Sequence, residues 1–310
     1  MTSLEEVAAH LPSARIPIGE LSDELGLSAA EMKVYRRFYG LAEVCREPGG
    51  TLTDLLLAAA GKLDGLRGRE ERVRYVVQAR TMPVVVPHPV NPVHEVRDAL
   101  GLGHATAFAV THHACASGLL AVDLVGKLLA SDGDPDALAL VLTGEKTFTL
   151  AAQTVPGTAA NSEGAAAVLV GTRDDRDRML SYAARTHGRF YECLSLDDEL
   201  AGEYQQIYTE ALAEVMLAAV AKAGLALDDV SVVFPHNVNR LSWARLARHL
   251  GLPLERVFLD NVPVTGHCFC ADPFINYRTA LDLGRLRPGD RYLLATVGLG
   301  STFSAMLFEH

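Results

Sequence analysis

The sequence predicts an α/β protein built from two similar halves. Short apolar, β-branched segments alternate with segments of helical periodicity, a pattern typical of sheets covered by helices. Each half contains a long helix, then an apolar strand, then a final strand rich in small residues. The charged segment 172–178 contains no apolar residue, so we divide the chain into halves 1–171 and 172–310.

The elements of the first half follow from local signals. Ser28 is a good N-cap for a short helix that ends at Gly40. Residues 51–63 have helical apolar spacing, and prolines followed by a closing glycine predict a loop and helix within 88–103. A long helix follows residue 110 and ends at Gly133. Short apolar runs predict the strands 72–81, 105–110, 137–144 and 165–171.

The second half repeats this organisation. Its longest helix is predicted over 207–224, and the segment 257–273 is rich in loops. The remaining predicted helices cover 240–251 and 274–286. The predicted strands are 181–188, 230–234, 291–300 and 301–310, the last two around a glycine turn.

Composition excludes several classes of function. The 310 residues are 49% hydrophobic and 21% charged, which allows a large core, and the net charge of −10 argues against general nucleic-acid binding. We expect no membrane span, because no apolar run approaches about 20 residues, and no secretory signal, because the first residues have no basic segment followed by an apolar one. Cys268 and Cys270 have no second ligand pair nearby, so we expect no metal. We expect no cofactor, since the segment 101–103 lacks a dinucleotide fingerprint. An odd number of irregularly spaced cysteines indicates the cytoplasm. They are Cys45, Cys115, Cys193, Cys268 and Cys270.

Cys115 is the candidate nucleophile. It lies in THHACASG, where a predicted strand passes into the start of a long helix. Unpaired amides and the dipole at a helix N-terminus favour a thiolate, and the small flanking residues leave room for a substrate. The alternative is a buried structural cysteine, which is the common role of a free cysteine. We expect the neighbouring His112 and His113 to be structural.

Histidine and aspartate candidates follow in the second half. His236 comes directly after a predicted strand, and Asn239 could orient a ring or accept a helix amide. His267 and Asp272 lie in one later segment. A cysteine, a histidine and an aspartate form a set suited to nucleophilic catalysis. The alternatives are a surface role for His236 and an N-cap role for Asp272.

The ordered motifs resemble a known family. A-C-A-S-G at a helix start, P-H-N-V-N after a strand, G-H in a later loop and a final strand–G-L-G–strand resemble the ketoacyl-ACP synthase III branch of the thiolase superfamily. The resemblance covers the chain from about Val34 onward and implies a five-layer α/β/α/β/α thiolase fold, usually homodimeric. It implies that Cys115 accepts the acyl group, that His236 and Asn239 are the family's H-x-x-N motif, and that the Cys115 and Leu299 amides form the oxyanion hole.

One departure from this family bears on the reaction. Condensing members carry asparagine where this sequence has His267. Cys115, His236 and His267 resemble the set of elongating ketosynthases, which condense with a malonyl-type thioester. The segment that contains His267 and Asp272 instead resembles that of Cys-His-Asp acyltransferases of natural-product pathways. Those enzymes transfer an acyl group to an oxygen or nitrogen nucleophile. A carboxylate beside His236 would strengthen a general base and oppose an enolate, so we expect acyl transfer. Intact catalytic groups argue against a non-catalytic partner subunit, and a cysteine hydrolase is disfavoured.

The thioester donor is expected to be an acyl carrier protein or CoA, and the acceptor a small molecule. Arg240, Arg245 and Arg248 partly share one face of the helix after His236, where an acidic carrier protein could dock. An ordinary solvated helix face is the alternative. CoA-binding members of the family have an early tryptophan, whereas here Val34 stands near that position and the only tryptophan is Trp243. This difference favours the carrier protein.

Overall fold

The computed structural model of the protein describes residues 1–173, 176–192 and 195–310. Cys193 and part of the charged segment at the proposed boundary, residues 174–175, lie outside the described residues. The strands are β1 (Ser3–His10), β2 (Ala14–Pro17), β3 (Glu43–Arg46), β4 (Val73–Ala79), β5 (Thr106–Val110), β6 (Leu138–Glu145), β7 (Thr154–Val155), β8 (Ala159–Ala160), β9 (Gly164–Gly171), β10 (Arg178–Thr186), β11 (Val232–Pro235), β12 (Arg291–Gly298) and β13 (Thr302–Glu309). The α-helices are α1 (Ala29–Arg37), α2 (Leu52–Ala60), α3 (Pro92–Ala99), α4 (Ser117–Asp132), α5 (Leu150–Gln153), α6 (Asp198–Lys222), α7 (Arg240–Leu250), α8 (Val262–Thr265) and α9 (Asp272–Asp282).

Nine of the described strands pair in the order β11-β12-β13-β10-β1-β9-β6-β4-β5. The two halves of this order meet where β1 pairs with β10 through a single register pair, Ser3 with Arg178. In the first half β4 runs parallel to both β5 and β6, and in the second half β11 runs parallel to β12. β6 and β9 are buried along their whole length, which explains their unbroken runs of apolar and small residues.

Helices cover both halves and also separate them. Leu55 of α2 packs in an outer core against the first-half strands, and Met216 of α6 packs in the opposite outer core. Val122 of α4 and Phe274 of α9 lie in a central core together with residues from strands of both halves. The layers are therefore helix, sheet, helix, sheet and helix, which confirms the predicted five-layer α/β architecture.

The central helix α4 is also the most apolar long helix of the described chain. The stretch Ala114–Asp132 has the length and hydropathy of a membrane span, and it is the one such stretch among the described residues. However, 67% of its most apolar 18-residue window is buried inside the protein. Its position in the central core explains this composition, because both sides of the helix contact apolar side chains.

The strand topology gathers the candidate site at one edge. Thr81 lies just beyond β4, Cys115 follows β5, and Glu145 ends β6. His236 directly follows β11, and Leu299 directly follows β12. Carboxyl ends of parallel strands are the usual place for ligand sites in α/β sheets, because loops there surround a crevice. Residues distant in sequence are thereby brought to one crevice between the halves.

Some predicted boundaries were wrong. The long second-half helix α6 begins at Asp198 rather than residue 207, and Asp197 caps it by accepting a hydrogen bond from Leu200 N at 2.8 Å. Strand β1 was missed, because a bulge between Leu4 and Glu6 interrupts its alternation. Helix α9 begins at Asp272, two residues earlier than predicted.

The fold predicts opposite effects for two helical glycines. A Cβ at Gly126 of α4 would overlap the buried Thr2 side chain, whereas Gly202 of α6 has nothing within 4 Å. We expect Gly126→Ala to lower the free energy of unfolding by about 1–3 kcal/mol through overpacking. Gly202→Ala should raise it by about 0.5–1 kcal/mol, because alanine loses less backbone entropy. Urea unfolding measures both changes, and equal effects would contradict this packing of α4.

Candidate active site

Cys115 lies at a sharp corner between β5 and α4. It belongs to a short 3-10 turn, Ala114–Ala116, immediately before the first residue of α4. His112 and Ala114 have φ values of 72° and 46°, a left-handed conformation that is uncommon for residues with a Cβ. Such strained backbone is concentrated at functional sites. Cys115 is only 4% exposed, and it lines the cavity described below.

His267 joins Cys115 to Asp272. Its Nε2 lies 3.2 Å from Cys115 Sγ, and its Nδ1 lies 2.5 Å from Asp272 Oδ2. The backbone of His267 is held on both sides, since its N–H donates to Ala160 O at 3.0 Å and its carbonyl accepts from Ser162 N at 2.8 Å. The imidazole therefore stands on a fixed backbone, with one ring nitrogen facing the thiol and the other facing the carboxylate.

The loop between His267 and α9 brings these two residues together. Gly266 has a φ of 61°, and a Cβ there would lie 2.9 Å from the Ala160 carbonyl oxygen, so the close approach requires glycine. The following 3-10 turn Phe269–Ala271 reverses the chain, with Phe269 at a φ of 55°. Asp272 opens α9 with its side chain turned back onto the loop rather than capping the helix as an N-cap residue.

Asp272 is fully buried and well satisfied. Its Oδ2 also accepts from Asn237 N at 2.5 Å, and its Oδ1 accepts from Cys268 N at 2.7 Å. The expectation of a carboxylate beside His236 was wrong, because Asp272 contacts His267 instead. The physical reason is the tight turn at 269–271, which returns the carboxylate to its own loop. Two backbone donors then hold it there.

The charges around His267 favour its protonated form. Burial lowers the pKa of His267, but the negative charge of Asp272 and then that of Cys115 raise it, and the result is about 10. Below that pH the ring carries protons on both nitrogens and can donate to the sulfur and to the carboxylate together. The arrangement is suited to an imidazolium that faces the Cys115 sulfur.

His236 has a different environment. It is 1% exposed, and its Nε2 lies 3.1 Å from the Tyr208 hydroxyl, while its Nδ1 has no hydrogen-bond partner in the described part of the chain. Burial lowers the pKa of His236 to about 3, with a further lowering from His267, whose ring centre is 6.1 Å away. His236 is therefore neutral at physiological pH.

Helix α7 places the remaining predicted residues. Asn239 caps this helix by accepting a hydrogen bond from Ser242 N at 2.8 Å, so its side-chain oxygen accepts a helix amide and does not orient a ring. Trp243, the only tryptophan, is buried, and its Nε1 donates to the His236 carbonyl at 2.9 Å, so it holds the backbone at His236 in place. The three arginines predicted for docking are exposed along α7, and Arg245 also lines the cavity. They are Arg240, Arg245 and Arg248.

The predicted oxyanion residue Leu299 belongs to the turn after β12. This turn packs directly on the corner between β5 and α4, since a Cβ at Gly298 would overlap the His113 carbonyl oxygen. Thr296 Oγ1 also donates to Cys115 O at 3.3 Å. Leu299 and Cys115 consequently line the same cavity.

That cavity has a volume of about 390 Å³. Cys115, His236 and His267 line it together with Leu299. Most of the other lining residues are apolar or tyrosine side chains, including Tyr39, Val155, Leu196, Tyr204, Tyr208, Leu241 and Val297. A mostly apolar crevice with a few convergent polar groups is typical of a small-molecule site. Among the described residues no cluster of ligating side chains is suited to a metal ion.

Sequence reasoning missed several polar neighbours of this site. Thr81 Oγ1 lies 3.5 Å from Cys115 Sγ, and the buried Glu145 accepts hydrogen bonds from the backbone of the same loop. Their positions at the ends of the neighbouring parallel strands β4 and β6 were a usable signal. Tyr208 and Cys270 had no comparable signal, because a helix residue and a buried cysteine look ordinary in sequence.

The raised pKa of His267 gives a direct prediction. Asp272→Asn removes the main stabilising charge, so the pKa of His267 should fall by at least about one unit in NMR titration of labelled histidine. His236 should remain neutral throughout. Because folding raises the pKa from 6.5 to about 10, the stabilisation is complete below pH 6.5 and is lost as pH rises through 10.

The control is Asp282→Asn, an exposed carboxylate of the same helix that pairs with Arg278. It should leave the titration of His267 unchanged. An unaltered His267 pKa in Asp272→Asn would contradict the assigned contact.

Comparison with known proteins shows extended similarity. The model of the 3-oxoacyl-ACP synthase III C-terminal family matches residues 220–310. A β-ketoacyl-ACP synthase III of Rhizorhabdus wittichii is 29% identical over 230 residues, 69% of this chain and 70% of the relative. That of Sphingopyxis alaskensis is 27% identical across 99% of this chain and 98% of the relative. The β-ketoacyl-ACP synthase III of Aquifex aeolicus is 29% identical over 48% of this chain and 49% of the relative.

Solved structures share the whole fold. The 3-oxoacyl-ACP synthase III of Aquifex aeolicus has a TM-score of 0.84 at 22% identity and covers 100% of both chains. ChlB3, named an acyltransferase, has a TM-score of 0.84 at 20% identity, covering 99% of this chain and 97% of its own. The fold, the C-terminal family match and the sequence relatives agree. Together they support a ketoacyl-ACP synthase III-like assignment: the chain resembles these synthases in sequence, and it shares their fold.

Proposed function

We propose that the protein is an acyltransferase. Cys115 takes an acyl group from a carrier-protein or CoA thioester, and His267 with Asp272 passes it to an oxygen or nitrogen acceptor. The observation that carries this proposal is the continuous contact from Cys115 Sγ through His267 to Asp272, with distances of 3.2 and 2.5 Å. This order of thiol, imidazole and carboxylate is the one used for nucleophilic acyl transfer.

Acylation begins with attack of the Cys115 thiolate on the thioester carbonyl carbon. The new carbon–sulfur bond to Cys115 forms as the bond to the donor sulfur breaks. The His267 imidazolium gives its Nε2 proton to the departing sulfur, which leaves as a free thiol. Cys115 then carries the acyl group, and His267 is neutral with its Nδ1 proton held by Asp272.

Transfer uses the same imidazole as a base. An acceptor hydroxyl or amine attacks the acyl carbon, and His267 Nε2 takes the proton that it loses. The bond to Cys115 breaks, so the products are an ester or amide and the restored thiolate–imidazolium pair. Asp272 keeps the ring in the required tautomer and stabilises the imidazolium that forms. Atoms and charges balance without another reactant.

The developing oxyanion needs donors. We assign these to the backbone amides of Cys115 and Leu299, each contributing about 3 kcal/mol to transition-state stabilisation. Support comes from the packing of the Gly298 turn on the nucleophile corner and from the shared cavity. The apolar lining limits access of water to the acyl-cysteine, which favours transfer over hydrolysis.

Decarboxylative condensation is the second candidate, and two contacts argue against it. The Asp272 charge lies beside His267 and would oppose an enolate at that ring. The Nε2 atom of His236, the other expected enolate donor, is already paired with Tyr208. A non-catalytic partner subunit would have no need for the buried and satisfied carboxylate, since burying one without a function is costly.

The donor is proposed to be an acyl carrier protein. Arg240, Arg245 and Arg248 form an exposed basic stretch along α7 on a protein of net negative charge, and Arg245 also lines the cavity, which complements an acidic carrier. Val34 lies in α1, near the position where CoA-binding members of the family carry a tryptophan, and its own side chain offers no ring to an adenine. We further propose a cytoplasmic homodimer, with halves 1–171 and 172–310.

The covalent intermediate is directly measurable. Incubation with acyl-carrier thioesters should add one acyl mass to the intact protein, and Cys115→Ala should abolish the adduct. Cys45→Ala, at another buried cysteine, is the matched control and should retain it. With a suitable alcohol or amine, the adduct should discharge as ester or amide without release of carbon dioxide.

Release of carbon dioxide from a malonyl carrier, with a condensed product, would select the ketosynthase instead. An adduct that persists in Cys115→Ala, or no adduct with any thioester, would exclude the proposed nucleophile. Asp272→Asn should slow discharge at least about 100-fold, because the imidazole loses its orienting and stabilising charge.

A further inference from the structure

The sulfur of Cys115 has a second polar neighbour that the proposed mechanism does not use. The hydroxyl oxygen of Thr81 lies 3.5 Å from Cys115 Sγ, within the range of a hydrogen bond to sulfur. His267 Nε2 is the other polar neighbour, at 3.2 Å. Thr81 and Cys115 follow the neighbouring parallel strands β4 and β5. This topology places the hydroxyl beside the thiol.

A buried carboxylate fixes the position of Thr81 independently of Cys115. The backbone N–H groups of Thr81 and Met82 both donate to Glu145 Oε1, the latter at 3.3 Å. Glu145 ends β6 and has no exposed surface. The turn after β4 is thus tied to the end of β6. The hydroxyl is held in place before any substrate binds.

The Thr81 hydroxyl has two possible sulfur acceptors. Cys270 Sγ lies 3.3 Å from Thr81 Oγ1. Cys270 also donates its own proton to the Ala114 carbonyl at 3.2 Å. Burial, with the nearby Cys115 charge, raises the pKa of Cys270 well above its ordinary value, so Cys270 stays a neutral thiol. A thiolate at Cys115 is therefore the stronger acceptor, because hydrogen bonds to an ionised partner are the strong ones.

We propose that Thr81 is a positioning residue whose hydroxyl donates a hydrogen bond to the Cys115 thiolate and turns to Cys270 Sγ when Cys115 is acylated. The inference rests on the proposed function only in taking Cys115 as the nucleophile. The hydroxyl supports the thiolate in both steps, when the sulfur attacks the donor and when it leaves the acyl group. Cys270 keeps the hydroxyl paired in the interval between them, so this half-buried donor keeps a partner.

The test measures the reactivity of the Cys115 sulfur without any acyl donor. Iodoacetamide alkylation of the Cys115 peptide is followed by mass spectrometry from pH 5 to 10. Thr81→Val, which keeps the shape but removes the hydroxyl, should slow alkylation about tenfold at neutral pH and move the rate profile to higher pH. Thr81→Ser restores the hydroxyl and should stay within about twofold of the wild-type rate.

Two further variants serve as controls. Thr143→Val makes the same change at a buried threonine that bonds the Ala166 carbonyl, and it should leave alkylation unchanged. Cys270→Ala should also leave the Cys115 rate undiminished, because the hydroxyl still has the thiolate to donate to. Thermal unfolding of each variant checks that the fold is kept.

Several outcomes would overturn the proposal. If Thr81→Val is alkylated at Cys115 at the same rate as the wild-type protein, the hydroxyl does not act on the sulfur. An equal loss in Thr81→Val and Thr81→Ser would assign the effect to packing, and a tenfold loss in Cys270→Ala would assign it to the second thiol. Failure of the proposed acyl transfer would appear separately, as a reactive Cys115 that forms no acyl adduct.

Discussion

The hydrogen bond between His267 and Asp272 is the contact on which the arrangement of the site depends. It fixes the imidazole so that Nε2 faces Cys115, and it supplies the negative charge that keeps the ring protonated. Asn237 and Cys268 hold the carboxylate through their backbone amides. The loop after β11 and the loop before α9 are thereby joined at a single buried side chain.

Close packing of the two central helices, α4 and α9, brings that contact beside Cys115. Cys115 precedes α4, and Asp272 opens α9, so the site requires the starts of these helices to lie together. They meet at Gly118, where a Cβ would lie 3.1 Å from both the Cys270 carbonyl oxygen and the Phe274 ring. The five-layer fold thus sets the distance between thiol and imidazole, since each helix start belongs to a different half.

The sequence predicted those features that depend on neighbouring residues. The corner at Cys115 was visible because a strand, small residues and a long helix follow one another there. The pairing of Asp272 with His267 was not visible, since it depends on a reversing turn with Phe269 in the left-handed region. The partner of His236 comes from a distant helix, and β1 was hidden by a bulge. The α/β layers were predicted because each element buries an apolar face regardless of such details.

The central claim is that His267, and not His236, is the imidazole that acts on Cys115. Its most direct test compares the variants His267→Gln and His236→Gln by the rate at which an acyl-carrier thioester loads Cys115. The contacts predict at least about a 100-fold loss for His267→Gln, and retention within about tenfold for His236→Gln, since only the former removes the thiol's partner. The reverse order of losses would contradict the account.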